Sequence, residues 1–237
     1  MKNFEGKKVL VIGGSSGIGQ AAARAFAAVG ATVTIASRNE DKLTAAAEAL
    51  GGDIRTATLD ITDASAVEAF FAAHGRFDHV VVSAAQTPSG PLRELGLDAA
   101  RSAMKSKFWG AYHVARFARI AAEGSLTLVS GFLGTRPSGS AVLQGALNAA
   151  LESLGRGLAL ELAPVRVNTV SPGLIATPLW SKLTDDARER MFQNAAERLP
   201  ARRVGQPEDV ANAIVYLAAT PFATGSTVLV DGGGAIA

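Results

Sequence analysis

The apolar positions of this chain fall into short continuous runs separated by stretches in which they recur every three or four residues. Seven runs have strand character: KVLVI (8–12), TVTIA (32–36), IRTAT (54–58), HVVVS (79–83), LTLVS (126–130), VRVNTV (165–170) and TVLV (227–230). Their apolarity is continuous rather than alternating, which marks strands covered on both faces, as in a parallel sheet. Between them the spacing is helical. Ile18, Ala22, Ala25, Phe26 and Val29 share one helical face, and Val210, Ile214 and Leu217 share another. Strands alternating with helices predict an α/β fold: a doubly wound, three-layer arrangement of seven mostly parallel strands with helices on both faces. Its ligand is expected at the carboxyl ends of the strands. No repeat, low-complexity segment or linker breaks the pattern, so residues 1–237 are expected to form one domain. One long irregular region runs from Pro172 to Pro207 and carries its own helical pattern at 185–198. The insertion at about 173–206 is expected to be a substrate lid.

Composition narrows the class of partner. A chain of 237 residues suits one large α/β domain and is short for two. Hydrophobic residues make up 48% and charged residues 19%, an ordinary balance for a water-soluble chain. The formal net charge is +2 and no basic block stands out, so neither nucleic acid nor a membrane surface is expected as a partner. The absence of cysteine excludes disulfide and thiolate chemistry. His74, His79 and His113 lack the grouping and carboxylate company of a metal site. The start, MKNFEGKKVLVIGG, has no apolar stretch of signal-peptide length, and no run approaches the roughly 20 apolar residues of a membrane span. A cytoplasmic location is the expectation.

Candidate chemistry begins at VLVIGGSSGIGQAAA, where Gly13, Gly17 and Gly19 stand directly after the first strand and at the start of the first helix. Glycine takes positive φ and has no Cβ, so backbone can approach a pyrophosphate closely. The amino terminus of the helix then offers free N–H groups and partial positive charge to the phosphates. The alternative is a tight turn without a ligand. Placement in a strand–turn–helix unit favours the dinucleotide, and with it a Rossmann fold. The second strand ends in ASRNEDKL. A carboxylate there would accept from a ribose 2′-hydroxyl, whereas Ser37 and Arg38 present a hydroxyl and a guanidinium suited to a 2′-phosphate. NADP(H) is therefore expected over NAD(H), unless Arg38 is only an exposed arginine near a helix start. Asp60, at the end of the third strand, meets an adenine amino group or caps the following helix, a role Thr62 and Asp63 also suit.

Taken together, these residues resemble the short-chain dehydrogenase/reductase family, in its compact single-domain branch, over essentially the whole chain. In the glycine loop Ile12 replaces the usual threonine. DHVVVSAA (78–85) resembles the strand-four motif, with Ser83, Ala84 and Ala85 for its asparagine-alanine-glycine ending. VRVNTVSPGLIATPL (165–179) is similar to the sixth strand and its proline-glycine turn, and TGSTVLVDGGG to the last strand and tail. The resemblance implies that Gly13, Ser15, Ser16, Gly17, Ile18, Gly19, Ser37, Arg38, Asp60, Ile61, Ser83, Ala84, Ala85 and Asn148 line the dinucleotide. It also implies that Pro172, Gly173, Ile175 and Thr177 hold the nicotinamide carboxamide. A homo-oligomer, dimer or tetramer, is implied through the long helices around 97–121 and 141–163.

The catalytic pattern departs from the family at every position. Family members pass hydride from nicotinamide C4 to a carbonyl while a tyrosine protonates the oxygen. A lysine four residues later lowers the tyrosine pKa and binds ribose, a serine orients the substrate, and an asparagine on an earlier helix holds a relay water. ALNAALESLGRGLALELAPVRVN sets the register. It puts Gln144 at the tyrosine position, Asn148 at the lysine, Gly131 at the serine and Lys107 at the asparagine. The tyrosines are Tyr112 and Tyr216, neither followed by a lysine four residues on, and no lysine lies between Lys107 and Lys182. An amide cannot release a proton at a working pH, and general-acid help is worth about 10²–10⁴-fold in rate. Gln144 can still polarise an oxygen. Lys107 supplies a cation or a proton, or else is an exposed helix lysine; Ser130 reads as the end of a strand; Gln144 and Asn148 otherwise fill space beside the cofactor. Three readings remain open: an NADP(H)-dependent oxidoreductase of altered chemistry acting on an unknown small molecule, such as an iminium or activated alkene; a catalytically silent NADP(H)-binding sensor or scaffold; or a family-shaped protein that binds no nucleotide.

Overall fold

Strand β1 (Lys8–Ile12) turns Val9 and Val11 to one face of the sheet and Leu10 and Ile12 to the other, and all four are fully buried. This is why its apolarity is continuous. The computed structural model describes residues 4–86 and 88–237, so the first three residues of the amino-terminal stretch lie outside it. Six further strands follow: β2 (Thr32–Ser37), β3 (Ile54–Thr58), β4 (Phe77–Val82), β5 (Ile120–Val129), β6 (Arg166–Pro172) and β7 (Thr227–Val230). They form one sheet in the order β3-β2-β1-β4-β5-β6-β7, and every neighbouring pair is parallel, so the sheet is wholly rather than mostly parallel. The order reverses direction between β1 and β4, the switch point at which such sheets open a crevice.

Helices cover both faces. Helix α1 (Gly17–Ala28) and α8 (Pro207–Ala219) pack together on one face, where Ala21, Ala22 and Phe26 meet Val210, Ala211 and Ile214. Alanines on α1 permit close approach, and each large side chain buried there is worth about 1.5–3 kcal/mol. Helix α2 (Glu40–Leu50) joins this layer. On the other face lie α3 (Ala64–His74), α6 (Val142–Glu161) and one long helix in three parts: α4 (Leu97–Met104), a π-helical turn (Lys105–Trp109) and α5 (Gly110–Phe117). Helix α7 (Asp185–Arg198) stands in the segment between β6 and α8, on the residues whose pattern predicted it.

Two boundaries differ most from the sequence expectation, the remaining shifts being of one or two residues. The helix expected to run to 121 ends at Phe117, and β5 begins at Ile120 rather than at 126. The cause is pairing: Phe77 donates its N–H to Arg119 O and takes Ile120 as its register partner. A register irregularity between Phe77 and His79 then absorbs the extra residues before Ser125.

Candidate active site

The turn between β1 and α1 is built from three glycines that no other residue could replace without movement. Gly13 has φ +86°, and a Cβ on it would lie 2.6 Å from Ala84 N. Gly17 has φ +52°, and its Cβ would lie 3.3 Å from Thr177 Cγ2. A Cβ on Gly19 would lie 2.2 Å from Gly13 O. Residues predicted from separate motifs thus meet at one edge: the glycine loop touches Ala84 after β4 and Thr177 after β6. Ser83 extends this contact by donating its N–H to Ile12 O, and Gly173 donates to Val230 O beside β7. Ile175 is buried and bridges to Gly205.

Helix α1 begins at Ser16, whose side chain makes no capping bond, and its first turn holds no acidic residue. By contrast, α2, α3 and α7 are capped by Asn39, Asp63 and Thr184, and α8 by a reciprocal Gln206–Asp209 box. The unsatisfied N–H groups of α1 and its positive dipole end face the cradle, an arrangement that fits an anionic pyrophosphate. Partly buried Ser15, exposed Ser16 and partly buried Ile18 complete the loop.

One corner of the edge carries charge. Ser37 ends β2, its hydroxyl donating to Asn39 O at 3.4 Å, and Arg38 is exposed beside it. Asp60 follows β3 and accepts from the Thr62 N–H at 2.9 Å. Its partial burial pushes its pKa up, but the bonds from Thr62 and the cations Arg38 and Lys105 outweigh this and leave it below the usual carboxylate value. The cap of α3 is Asp63, not Asp60, since Asp63 Oδ1 accepts from Ser65 and Ala66. Ile61 is buried next to this corner, and its carbonyl bonds His113.

Lys107, Gly131 and Asn148, three of the four positions named from the resemblance, lie at a buried polar centre at the ends of β5 and β6. Lys107 is only 7% exposed, which corrects the expectation of a solvent-facing helix lysine. The π turn places Ser106 and Lys107 inward together: Ser106 Oγ accepts from the Gln86 N–H at 2.8 Å, and Lys107 Nζ donates to Ser130 O at 2.8 Å. Burial brings the Lys107 pKa down to about 8, against the opposing pull of the Glu152 carboxylate. Ser130 is more than a strand end. Its hydroxyl donates to Glu152 Oε1 at 2.9 Å, and the same oxygen accepts from Ser171 Oγ at 3.0 Å.

Glu152 itself escaped the sequence reading. The signal was present, because Gln144, Asn148 and Glu152 follow at i, i+4 and i+8 on α6, and Asn148 and Glu152 are both buried. Asn148 is 1% exposed, and its Oδ1 has no hydrogen-bond partner. A Cβ on Gly131 would lie 2.7 Å from Asn148 Nδ2, so the glycine at the serine position leaves room for this amide. Gln144 is partly buried, one turn nearer the amino end of α6. A ribose hydroxyl is the kind of donor the orphaned Asn148 oxygen lacks. Glycine cradle, uncapped helix end and orphaned acceptor together fit a nicotinamide dinucleotide. Among the described residues no group of histidines and carboxylates is placed to hold a metal ion.

Comparison with known proteins identifies relatives along the whole chain. A family model described as Enoyl-(Acyl carrier protein) reductase matches residues 13–234. A solved short chain dehydrogenase/reductase family protein is 33% identical, with a TM-score of 0.89 and complete coverage of both chains. The 3-oxoacyl-[acyl-carrier-protein] reductase FabG of Thermotoga maritima is 33% identical over 97% of this chain and 98% of its own. An NADPH-bound short chain oxidoreductase of Pseudomonas aeruginosa PAO1, described as containing an atypical catalytic center, is 29% identical at a TM-score of 0.87, covering 96% of each chain. The chain belongs to the short-chain dehydrogenase/reductase family, and its sheet is the Rossmann-like sheet of those structures.

Proposed function

We propose that this protein is an NADP(H)-dependent oxidoreductase whose active site works without the family's tyrosine, lysine and serine. The observation that carries this reading is the separation of two residue sets. The dinucleotide set is kept at its glycines: Gly13, Gly17 and Gly19 fit only as glycines, and the amino terminus of α1 is uncapped. The proton-transfer set is replaced by Gln144, Asn148, Gly131 and Lys107. When bound, the nicotinamide supplies or accepts a hydride at C4. Arg38, exposed at the end of β2 and paired electrostatically with Asp60, is suited to a ribose 2′-phosphate. Asn148 accepts from a ribose hydroxyl, and Thr177 stands against Gly17, where the loop after β6 closes on the cradle. The NADPH-bound Pseudomonas relative with its atypical center supports both halves of the reading.

In this proposal residues 173–206, including α7, form the lid, and two copies or more associate through α4–α5 and α6. Leu97, Trp109 and Leu160 are exposed on those helices, in keeping with such a contact. A second reading, a silent NADP(H)-dependent sensor, is favoured by one observation: Gln144 and Asn148 are amides and hold no proton to give. Isothermal titration with NADPH and NADH separates these readings from a protein that binds no nucleotide. Binding of NADPH at least tenfold tighter than NADH is the expected result, and oxidation of NADPH against a panel of ketones, enones and imines then distinguishes enzyme from sensor. No binding of either nucleotide would overturn the proposal.

A further inference from the structure

In the family pattern the asparagine stands on the helix after β4 and the lysine on α6. Here the two residue types have changed places, with Lys107 on the π turn and Asn148 on α6. A cation is therefore present in this set, on the π turn rather than on α6. Three features of its setting are unusual for a structural lysine. It is buried, yet it makes no direct ion pair among the described residues. One hydrogen bond, to Ser130 O, accounts for one of three ammonium N–H bonds. And the residue after Ser130 is Gly131, whose lack of a side chain lets the Asn148 amide, with its orphaned Oδ1, pack directly against this backbone. Spare donors and a spare acceptor thus flank the same two residues of backbone.

We propose that Lys107 is the proton donor of this site and that it fits substrates whose oxygen becomes negative as the carbon is reduced, namely ketones or α,β-unsaturated carbonyls, and not iminium ions. The inference rests on the oxidoreductase reading above. In the step, the substrate carbon gains a hydride and its two electrons from the reduced nicotinamide, forming a C–H bond as the carbonyl or conjugated π bond breaks. The substrate oxygen then takes a proton from Lys107 Nζ, leaving a neutral amine that regains its proton from water. Gln144 is a second donor to that oxygen but cannot part with a proton. A fixed cation stabilises a developing oxyanion and repels a substrate that arrives already positive.

The surroundings suit the role. From α6 the ionisable neighbour is Glu152, which favours the ammonium, whereas burial favours the amine. The ends of β5 and β6 present the hydroxyls of Ser130 and Ser171, both engaged by Glu152. On the same turn Lys105 acts on Asp60 instead. Burial and carboxylate together leave an ammonium that titrates at about 8, close to the working range of a general acid.

The test combines a titration of the intact protein with kinetics. Lysine side chains labelled at Cε and Nζ are followed by NMR across pH 6–11 (roughly the range spanning the shifted and ordinary values), with Lys107→Arg identifying the signal. One lysine titrating near 8, whose midpoint moves on addition of NADP⁺, is expected. Reduction of ketones or enones by the wild type should fall as pH rises through that midpoint. Lys107→Gln should lower kcat/KM by about 10²–10⁴-fold and flatten the profile, and methylammonium should partly restore Lys107→Ala. NADPH affinity of Lys107→Gln should stay within about threefold of wild type. A Lys107 signal titrating with the bulk lysines, turnover by Lys107→Gln at the wild-type rate and profile, preference for imines over enones, or silence with NADPH bound would each overturn the assignment while leaving nucleotide binding intact. Failure of the wild type to bind NADPH would instead overturn the underlying reading, and the donor assignment with it.

Discussion

The space at Gly131 makes a quantitative prediction about two residues far apart in sequence. In Gly131→Ala the new Cβ would lie 2.7 Å from Asn148 Nδ2 and 3.3 Å from its Cγ, whereas relaxed carbon contacts need about 3.5–4.0 Å. Asn148 has little room to retreat, being 1% exposed and backed by Gly134, on which a Cβ would lie 3.1 Å from Asn148 Cβ. Overpacking of this kind destabilises by about 1–3 kcal/mol. Asn148→Ala alone behaves differently: it empties a small volume but also removes a buried oxygen that has no partner, a burden of about 1–3 kcal/mol in its own right. Its net change should therefore stay within about 1 kcal/mol of wild type. In the double variant the alanine methyl enters the vacated space, so the two changes compensate, with a coupling of about 1–2 kcal/mol. Urea unfolding of the four proteins, at one protein concentration and with a common m-value, measures it. Additivity to within about 0.5 kcal/mol would refute the contact. A parallel titration checks the function of the orphaned oxygen, since its loss should weaken NADPH by about three- to tenfold, the worth of one ordinary hydrogen bond.

Four further outcomes follow from other parts of the molecule. Gly19→Ala puts a Cβ 2.2 Å from Gly13 O, a backbone atom, so about 1–3 kcal/mol of stability and all measurable NADPH binding should be lost, read by thermal melting and calorimetry. Arg38→Asp should remove the preference for NADPH over NADH, a change of about 10–100-fold in the ratio of the two dissociation constants, because a charge-assisted bond is worth about 1.5–3 kcal/mol. The Arg203 guanidinium, and after it the Gln206 N–H, hold Asp209 down to about 2, so its contribution is present above its ordinary value of 3.8 and is lost as pH falls toward 2; the melting-temperature gap between wild type and Asp209→Asn should close over that window. For Lys107 the folded value of about 8 lies below the ordinary 10.5, so the folded chain binds fewer protons between them and stability rises with pH; Lys107→Met should be the more stable protein at pH 7, by a margin that shrinks as pH climbs from 8 to 10.5.

How much of this was legible in the sequence depends on how local each cause is. Strand β1 could be read because both faces of a central parallel strand are buried, so Val9, Leu10, Val11 and Ile12 are all apolar in one run. The glycine loop could be read because its constraints act within seven residues of chain, as the approach of Gly19 to Gly13 O shows. The end of the helix after β4 could not. Phe117 is the last helical residue because Phe77, forty residues earlier, claims Arg119 and Ile120 as strand partners. The buried centre was obscured for a related reason. Lys107, Ser130, Glu152 and Ser171 come from four elements, and their meeting is a property of the sheet rather than of any motif.

Lys107 was the hardest of these to place, and the π turn explains why. A helical projection at 3.6 residues per turn assumes one regular helix, but Lys105–Trp109 is wound more loosely, so each residue beyond its start is rotated relative to that projection. Two consecutive polar residues, Ser106 and Lys107, are buried side by side on this turn. Such a turn is less favourable than regular helix and orders a cation in a place where burial alone works against it. Both penalties fall on the same five residues, and both serve to aim one ammonium at the backbone between Ser130 and Gly131. A chain that needed only to fill this space would reach greater stability with methionine at 107 and regular helix around it, and the gap between wild type and Lys107→Met measures what burial of the charge costs.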